Sequence, residues 1–266
     1  MIDFKNKKIL ITGGTGSFGN KFVPMTLKKY QPKKIIVYSR DEMKQWHMRD
    51  KHKSKKIEFI LGDIRDKERL HSVLNNVDLV VHAAATKIVP SSEFNPSETV
   101  KTNIIGAINV IDTCINQKIK KVVALSTDKA CNPVNFYGAT KLASDKLFIT
   151  SNINSKLTKF SVVRYGNVMG SRGSVIPFFI DQAKNKKITI TDKRMTRFMI
   201  SLEEAVSFVW LCFNEMIGGE IFVKKLPSMN IMDIADSISQ DSKKEFVGIR
   251  PGEKLHEMMV GYEDAD

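Results

Sequence analysis

Two groups of polar residues in the middle of the chain carry side chains that can move protons. The run 126–129, Ser-Thr-Asp-Lys, directly follows the apolar segment 121–125, and Tyr137 and Lys141 come shortly after it. Residues four apart share one face of a helix, so Tyr137 and Lys141 can meet side by side. An ammonium beside a phenol, whose ordinary pKa is about 10, favours the phenolate. The spacing predicts that Tyr137 takes a proton from a hydroxyl and that Thr127 orients that oxygen. If the two residues Tyr137 and Lys141 stood by themselves, they would indicate only a solvated helix face.

A glycine-rich turn near the N-terminus predicts a dinucleotide site. Segment 8–12 has a strand pattern, and Gly13, Gly16 and Gly19 follow it at the start of a helical pattern. Glycines let the backbone approach a pyrophosphate, and a helix N-terminus offers unpaired N–H groups. The spacing resembles that of short-chain dehydrogenases, and a tight turn without a ligand is the alternative. The residues predicted to bind a cofactor here are Thr12, Gly13, Gly16, Ser17, Phe18 and Gly19.

The end of the second strand indicates which dinucleotide binds. The strand is expected to end near Tyr38, which places Ser39 and Arg40 where an acidic residue would hold the ribose 2′-hydroxyl of NAD. A basic side chain there pairs instead with a 2′-phosphate, which favours NADP, and Lys44 one helical turn later can reinforce it. NAD remains an alternative cofactor, because a small shift in register would place the Asp41 carboxylate at the end of the strand.

Two further strand ends are placed to contact the same cofactor. Asp63 follows the third predicted strand, where it can reach the adenine edge. Ala83, Ala84 and Ala85 follow the fourth strand and are small enough for a cofactor to lie against them. Close helix packing explains the three alanines equally well.

Short segments rich in Ile and Val alternate with helix-length segments over the first part of the chain. The predicted strands are 8–12, 34–38, 57–61, 79–82, 121–125 and 160–165. Parallel neighbours need crossovers of a dozen or more residues, so this rhythm predicts an α/β fold with a doubly wound parallel sheet of the Rossmann type. After Arg164 the elements become shorter and less regular. We expect a dinucleotide-binding domain over residues 1–167 and a smaller C-terminal substrate lobe over residues 168–266, with segments exchanged between them.

The composition of the 266 residues is that of an ordinary globular protein, with 42% hydrophobic and 27% charged residues. The longest apolar runs have strand length and the N-terminus lacks a secretory signal, so we expect a cytoplasmic protein with no membrane contact. Cys114, Cys131 and Cys212 have no metal-ligand spacing, so no metal is expected. The net charge of +13 is compatible with nucleic acid, an anionic membrane, small phosphorylated ligands or simply a lysine-rich background. The basic stretch 51–56 lacks the interleaved aromatic residues of nucleic-acid binders, so no nucleic-acid partner is expected.

Longer motifs extend these signals over nearly the whole chain. They are 12–19, 82–85 with Lys87 and 89–90, 126–130 with 132–133 and 137–141, 164–168, 172–177, 191–199, and the Arg-Pro-Gly-Glu-Lys run 250–254. In these stretches the chain resembles the inverting UDP-N-acetylglucosamine 4,6-dehydratases of bacterial pseudaminic-acid and related sugar pathways, a family of extended short-chain dehydrogenase/reductases. The Thr-Asp-Lys and Arg-Pro-Gly-Glu-Lys stretches are much more specific than the glycine turn. The family usually continues well beyond the last motif, whereas this sequence ends at Asp266.

The resemblance implies a reaction on UDP-N-acetylglucosamine with NADP as the cofactor. Hydride leaves sugar C4 as Tyr137 removes the hydroxyl proton, Lys129 then removes the C5 proton, and Asp128 protonates the departing C6 hydroxyl. Hydride returns to C6, and protonation of C5 on the opposite face gives UDP-2-acetamido-2,6-dideoxy-β-L-arabino-hexos-4-ulose. Asp128 must therefore hold a proton and Lys129 must lose one near neutral pH, whereas an exposed charged turn is the alternative for this pair. The predicted catalytic residues are Thr127, Asp128, Lys129, Tyr137 and Lys141.

The resemblance also implies the substrate contacts and the assembly. Arg197 and Arg250 are expected to pair with phosphate oxygens and Glu253 with a ribose hydroxyl, while Asn167 and the loop 171–176 approach the sugar and diphosphate. Ordinary surface salt bridges are the alternative for both arginines. Lys87, Val175, Thr189 and Met199 complete the predicted substrate site, and Ile64, Lys87 and Asn103 complete the predicted cofactor site. The expected assembly is a homo-oligomer, either a dimer or a hexamer.

Two other functions stay open. A retaining 4,6-dehydratase or a UDP-sugar epimerase would share the fold, the cofactor and the Tyr-Lys pair. Lys129 beside Asp128 argues against a simple C4 epimerase, which needs neither an elimination acid nor a C5 base. A non-enzymatic NADP-sensing protein need not retain Tyr137 and Lys141, so their presence argues against that class.

Overall fold

The computed structural model describes residues 4–261 and 264. The strands are β1 Lys8–Thr12, β2 Lys34–Ser39, β3 Ile57–Leu61, β4 Leu79–His82, β5 Lys121–Leu125, β6 Lys159–Arg164, β7 Asn167–Val168, β8 Lys187–Ile190, β9 Thr196–Ile200, β10 Ile221–Val223, β11 Ser228–Asn230 and β12 Lys243–Phe246. The helices are α1 Ser17–Tyr30, α2 Glu42–Lys51, α3 Lys67–Val73, α4 Val89–Phe94, α5 Pro96–Val100, α6 Gly106–Asn116, α7 Phe136–Asn154, α8 Val175–Ala183, α9 Leu202–Glu215 and α10 Ile231–Ile238. A π-helical turn covers Lys101–Ile105 and a 3₁₀ turn covers Asp128–Ala130.

Seven strands form one parallel sheet in the order β10-β6-β5-β4-β1-β2-β3. The strand order reverses between β1 and β4, and ligands of open α/β sheets bind at such a point, beyond the carboxyl ends of the strands. All four residues of β4 are buried, as expected for a sheet that helices cover on both faces. The predicted α/β class and doubly wound parallel sheet are confirmed.

The six predicted strands all form. Strands β1, β3, β4 and β5 have the predicted bounds. Strand β2 continues to Ser39, which pairs with Leu61 of β3, and β6 lies one residue earlier than expected. The apolar runs therefore locate the sheet core well, because the interior strands such as β1 and β4 are almost entirely buried, whereas the edge strand β3 is only partly buried.

The C-terminal part of the chain returns to the large sheet. Strand β10 pairs with β6, and α9 packs against α1, where the Trp210 indole donates a hydrogen bond to Thr26 Oγ1 at 3.0 Å. Residues 202–223 thus lie with the domain predicted for residues 1–167. We propose a division in which the dinucleotide-binding domain consists of residues 1–167 and 202–223, and the lobe consists of the remaining residues after 167.

The smaller lobe has its own core and two small sheets. Strands β11, β9 and β7 form one sheet, β12 and β8 form the other, and α8 and α10 pack against β8. Their buried apolar side chains form a separate cluster that includes Phe179, Ile188 and Ile234. Strand β7 follows β6 after two residues, so the lobe begins at the carboxyl end of the large sheet. Within the described ranges, no helix is long and apolar enough to cross a membrane.

Candidate active site

A large cleft lies between the lobe and the carboxyl ends of the parallel strands. Its volume is about 1480 Å³, and residues from the glycine turn, the ends of β2 to β6 and the loop 247–257 line it. Pockets for one small ligand have volumes of about 300–1000 Å³, so this cleft has room for a dinucleotide and a second ligand together.

The glycine turn forms one end of the cleft. Gly13 has φ of +63°, and a Cβ there would lie 2.8 Å from the Ala84 Cα, so the turn packs tightly on the end of β4. Helix α1 begins with Gly16 at its N-cap, without a side-chain cap and without an acidic residue in the first turn. Gly16, Ser17 and Phe18 all line the cleft. The open helix end offers N–H groups and partial positive charge, which fit the pyrophosphate of a dinucleotide.

Two residues predicted to contact the cofactor lie behind the turn. Thr12 Oγ1 accepts hydrogen bonds from the backbone N–H groups of Ala83 and Ala84, both at 3.2 Å, and its hydroxyl therefore donates to His82 Nδ1 at 2.9 Å. Burial lowers the pKa of His82 to about 3, so the ring is neutral and can accept. Thr12 joins β1 to β4 and does not line the cleft. Gly19 packs against the backbone of Gly14 beneath the turn.

The end of β2 carries the residues predicted to select the dinucleotide. Ser39, Arg40 and Lys44 line the cleft, and the Arg40 side chain is 61% exposed, with Asp63 Oδ2 at 3.7 Å. Asp41 caps α2 by accepting from the Lys44 backbone N–H at 2.9 Å, and its carboxylate also pairs with the Lys44 ammonium. Hydrogen bonds from Lys44 hold the pKa of Asp41 below its usual range. Arg40 is therefore the cation left to meet a phosphate, while Lys44, expected to reinforce it, is paired with Asp41.

The predicted cofactor wall is partly in the cleft and partly behind it. Ile64, residues 83–85 and Lys87 line the cleft, and the Lys87 ammonium donates to the Arg172 carbonyl oxygen at 2.8 Å. Asn103 is 2% exposed and does not line the cleft. Its amide bonds the Thr86 backbone N–H at 2.9 Å and the Thr140 hydroxyl at 3.0 Å. Asn103 thus connects the loop after β4 to α7, and its contact with a cofactor stays a prediction.

Helix α7 brings the predicted base to the cleft. Asn135 caps it by accepting from the Gly138 N–H at 2.7 Å, and a Cβ at Gly138 would lie 2.3 Å from the Lys129 carbonyl oxygen. Glycine at this position lets α7 press against the 3₁₀ turn that carries Asp128 and Lys129. Tyr137 and Lys141 both line the cleft on one face of the helix, as predicted.

The protonation of Tyr137 differs from the expectation based on Lys141. Burial raises the pKa of Tyr137 well above its ordinary range, the hydrogen bond with Thr127 lowers it, and the charge of Asp128 raises it. Burial also lowers the pKa of Lys141, whose ammonium donates to the Leu125 carbonyl oxygen at 2.7 Å. The chain alone therefore favours the neutral phenol, and the phenolate requires an additional positive group in the cleft.

Asp128 and Lys129 lie side by side at the end of β5, but only Lys129 faces the cleft. Asp128 is fully buried, and its Oδ1 accepts from Thr127 Oγ1 and from Lys129 Nζ, both at 3.0 Å. Its Oδ2 has no hydrogen-bond partner among residues 4–261 and 264. Lys129 Nζ also lies 3.4 Å from Asn167 Oδ1. An exposed charged turn, the alternative for this pair, does not describe its geometry.

The predicted substrate residues mostly line the far side of the cleft. Arg250 and Glu253 pair with each other through the guanidinium, with Nε at 2.9 Å from Glu253 Oε1. Arg197 donates to the Thr196 carbonyl oxygen at 2.7 Å and the Leu255 carbonyl oxygen at 3.1 Å, so it also fixes the loop after residue 254. Asn167, Val175 and Thr189 line the cleft as well.

Met199, predicted to bind the substrate, is 3% exposed and packs in the core of the lobe with Ile188 and Ile231. Its side chain does not line the cleft, although that of Ile231 does. Its strand pairs it with Asn167, which does line the cleft. Residues on neighbouring strands can lie in register while only one of them lines the cleft, and a substrate contact of Met199 stays a prediction.

Two cleft residues have roles that the sequence did not reveal. The Arg172 guanidinium donates to the Thr15 carbonyl oxygen at 2.6 Å, and its backbone N–H donates to Ser17 Oγ at 3.1 Å, so the loop expected at the sugar closes on the glycine turn. Glu257 is a buried carboxylate beside Lys129. Its only sequence signal was the spacing from Lys254, which is typical of a surface ion pair.

The strand order, the glycine turn at the point of reversal, and a Tyr-x-x-x-Lys pair facing that turn define an extended short-chain dehydrogenase/reductase. The family model for polysaccharide biosynthesis proteins matches residues 9–266. The chain is 55% identical to the inverting UDP-N-acetylglucosamine 4,6-dehydratase of Campylobacter jejuni subsp. jejuni serotype O:23/36 over 98% of this chain and 80% of that protein. It is 44% identical to the UDP-glucose 4-epimerase of Rickettsia akari, over 98% of this chain and 80% of that protein.

A solved structure agrees with these relatives. Pen from Bacillus thuringiensis superposes with a TM-score of 0.94 and is 41% identical, over 98% of this chain and 83% of that one. The chain belongs to the polysaccharide biosynthesis protein family of extended short-chain dehydrogenase/reductases. The family resemblance inferred from the motifs is confirmed.

Proposed function

We propose that this chain is an inverting UDP-N-acetylglucosamine 4,6-dehydratase that uses NADP and serves nucleotide-sugar and surface-glycan synthesis. The observation that carries the proposal is the Asp128-Lys129 pair at the end of β5, with Lys129 Nζ facing the cleft that Tyr137 also lines. A simple C4 epimerase needs only the Tyr137 side of this arrangement. The 55% identity to a protein named for the inverting reaction supports the same choice.

The residues at the dinucleotide end of the cleft fit NADP. The open N-terminus of α1 suits a pyrophosphate, and the exposed guanidinium of Arg40 suits a 2′-phosphate. Asp41 does not compete as a ribose ligand, because its carboxylate caps α2 and pairs with Lys44. When bound there, NADP would supply the hydride acceptor and donor for the sugar, and Arg40 and the N-terminus of α1 would hold its phosphates.

Tyr137 and Thr127 act on the C4 hydroxyl. Tyr137 removes the hydroxyl proton, and Thr127, which hydrogen-bonds Tyr137, holds the substrate oxygen in line with the phenol. Burial raises the pKa of Tyr137, so positive charge in the cleft would favour the phenolate. Tyr137 would therefore be ionised mainly when the cofactor is bound.

Lys129 and Asp128 then carry out the elimination. Oxidation at C4 acidifies the C5 hydrogen, and Lys129, which lies at the cleft wall, removes that proton. The C6 hydroxyl then leaves as water with a proton from Asp128. This role requires the Asp128 carboxyl to turn toward C6 when the sugar binds, because it is buried behind Thr127 and Lys129 in the free chain. Reprotonation of C5 from the opposite face gives the inverted product.

The far side of the cleft is proposed to hold the UDP group. Arg250 has further N–H donors beyond those that bind Glu253, so it can contact a phosphate while Glu253 stays paired or turns to the ribose. Arg197 and Asn167 complete the wall between the sugar and the diphosphate. We also propose that the protein is cytoplasmic, because nicotinamide cofactors and nucleotide sugars are cytoplasmic metabolites. We propose a homo-oligomer as well, which the family resemblance implies.

The test is incubation of the purified protein with UDP-N-acetylglucosamine and no added cofactor. The proposal predicts a 4-keto product, because one tightly held cofactor is restored in every turnover. Formation of UDP-N-acetylgalactosamine without a keto product would instead favour the epimerase. Absence of any sugar product together with NADP binding would favour the non-enzymatic sensor.

A further inference from the structure

The Arg-Pro-Gly-Glu-Lys segment is hydrogen-bonded to the N-cap of α7 and to the residue that follows the 3₁₀ turn. The Asn135 amide donates to the Gly252 carbonyl oxygen at 2.8 Å, at the N-cap of α7. The Lys254 ammonium donates to the Cys131 carbonyl oxygen at 2.6 Å, just past the 3₁₀ turn that carries Lys129. These bonds fix the position at which the next residues enter the cleft.

Glu257 enters there as a buried carboxylate. Its side chain is 4% exposed, and it lines the cleft. One oxygen, Oε1, lies 3.5 Å from Lys129 Nζ, and the other, Oε2, lies 3.5 Å from Lys254 Nζ. A buried carboxylate is stable only when it is paired, and the pairing here alternates along Asp128, Lys129, Glu257 and Lys254.

Lys129 Nζ is thereby surrounded by three oxygen atoms. They belong to Asp128 at 3.0 Å, Asn167 at 3.4 Å and Glu257 at 3.5 Å. As the neutral amine that the base role requires, Lys129 has two N–H donors and one lone pair, so oxygen atoms from separate segments can fix the place of the nitrogen while the lone pair faces the cleft. Without Glu257, the long Lys129 side chain would be held only from the β5 and β7 sides.

We propose that Glu257 is a positioning residue for the C5 base: its carboxylate, which forms ion pairs with Lys129 and Lys254, holds Lys129 Nζ at the cleft wall in reach of C5. This inference rests on the proposed dehydratase function. It predicts that Glu257 matters for the C5 step and not for oxidation at C4, because its ion pairs are with Lys129 and Lys254 and the C4 step is assigned to Tyr137 and Thr127.

The test compares Glu257→Ala and Glu257→Gln with the unmodified protein on UDP-N-acetylglucosamine in deuterium oxide. A base misplaced by about 1 Å loses about 100-fold in rate, so we expect C5 exchange in Glu257→Ala to fall about 100-fold. Glutamine keeps one acceptor oxygen, so C5 exchange should be about tenfold faster in Glu257→Gln than in Glu257→Ala. In both variants kcat falls while KM stays within about twofold, and absorbance of the reduced cofactor accumulates because C4 is still oxidised.

Glu220→Gln is the matched control for lost stability. The Glu220 carboxylate bonds Ser161 and the N–H groups of residues 217 and 218 at the β10 edge, and it does not line the cleft. This variant should lower the melting temperature without changing the ratio of C5 exchange to C4 oxidation.

The outcomes separate the two proposals. If the unmodified protein forms a 4-keto product and Glu257→Ala exchanges C5 at the same rate, the positioning role is refuted and the dehydratase stands. Equal loss of C4 oxidation and C5 exchange in Glu257→Ala also refutes it, because that pattern indicates general damage. If the unmodified protein neither oxidises C4 nor exchanges C5, the proposed function fails and the role of Glu257 fails with it.

Discussion

Replacement of Arg40 by methionine tests the dinucleotide preference most sharply. In the structure, the Arg40 guanidinium is 61% exposed and its nearest carboxylate is 3.7 Å away, whereas the Lys44 ammonium is held by Asp41. Arg40 is thus the cation expected to supply a bidentate contact to a 2′-phosphate. A hydrogen-bonded charge pair contributes about 1.5–3 kcal/mol, and the exposure of Arg40 places its contribution near the lower end.

We therefore expect Arg40→Met to weaken NADP binding about tenfold, which corresponds to about 1.4 kcal/mol. NAD has no 2′-phosphate, so its affinity should change by less than about twofold. Isothermal titration calorimetry on protein stripped of its cofactor measures both affinities. Lys44→Met is the matched control and should weaken NADP less than Arg40→Met does. Tighter binding of NAD than NADP by the unmodified protein, or equal weakening of both by Arg40→Met, would refute the reasoning.

Four other results follow from the site and its surroundings. Tyr137→Phe should slow C4 oxidation by about 10²–10⁴-fold in single-turnover absorbance, and an unchanged rate would remove Tyr137 from the mechanism. Lys129→Ala should abolish C5 deuterium exchange while the reduced cofactor accumulates, and retained exchange would assign the base elsewhere. Gly138→Ala should lower the free energy of unfolding in urea by about 1–3 kcal/mol, because its Cβ meets the Lys129 carbonyl oxygen; a smaller loss would mean that α7 shifts freely. Burial lowers the pKa of His82 to about 3, so between pH 6.5 and 5.5 this histidine takes up a proton in the unfolded chain but not in the folded chain. The free energy of unfolding should therefore fall by about 1 kcal/mol over this range, and a free energy that does not change with pH would contradict this.

The sequence predicted the strands that form short apolar runs, because such a run can be recognised without knowing what packs against it. Each strand of the large sheet from β1 to β6 reads as an apolar run, and the chemistry at its carboxyl end could be located by counting along the chain. The return of β10 to that sheet was expected only as an exchange of segments, because its three residues carry no pattern long enough to tell one sheet from another.

The site was predictable where one segment supplies both the fold and the chemistry. Tyr137 and Lys141 meet the cleft because the helical spacing fixes their common face. Asp128 is buried, and Asn103 connects the loop after β4 to helix α7, because a motif does not record which side of a turn faces the ligand. Glu257 could not be located at all, since its partner Lys129 is 128 residues away and only the packed loop brings them together.

The most direct test of the central claim is NMR of the product formed from UDP-N-acetylglucosamine in deuterium oxide. Lys129 at the cleft wall predicts a 6-deoxy-4-keto sugar that carries solvent deuterium at C5 and has the L-arabino configuration, which the ring coupling constants identify. Deuterium at C5 by itself does not decide the matter, because a retaining enzyme also exchanges that hydrogen. A D-xylo product would contradict inversion, and a product that keeps its C6 hydroxyl would contradict the dehydratase itself.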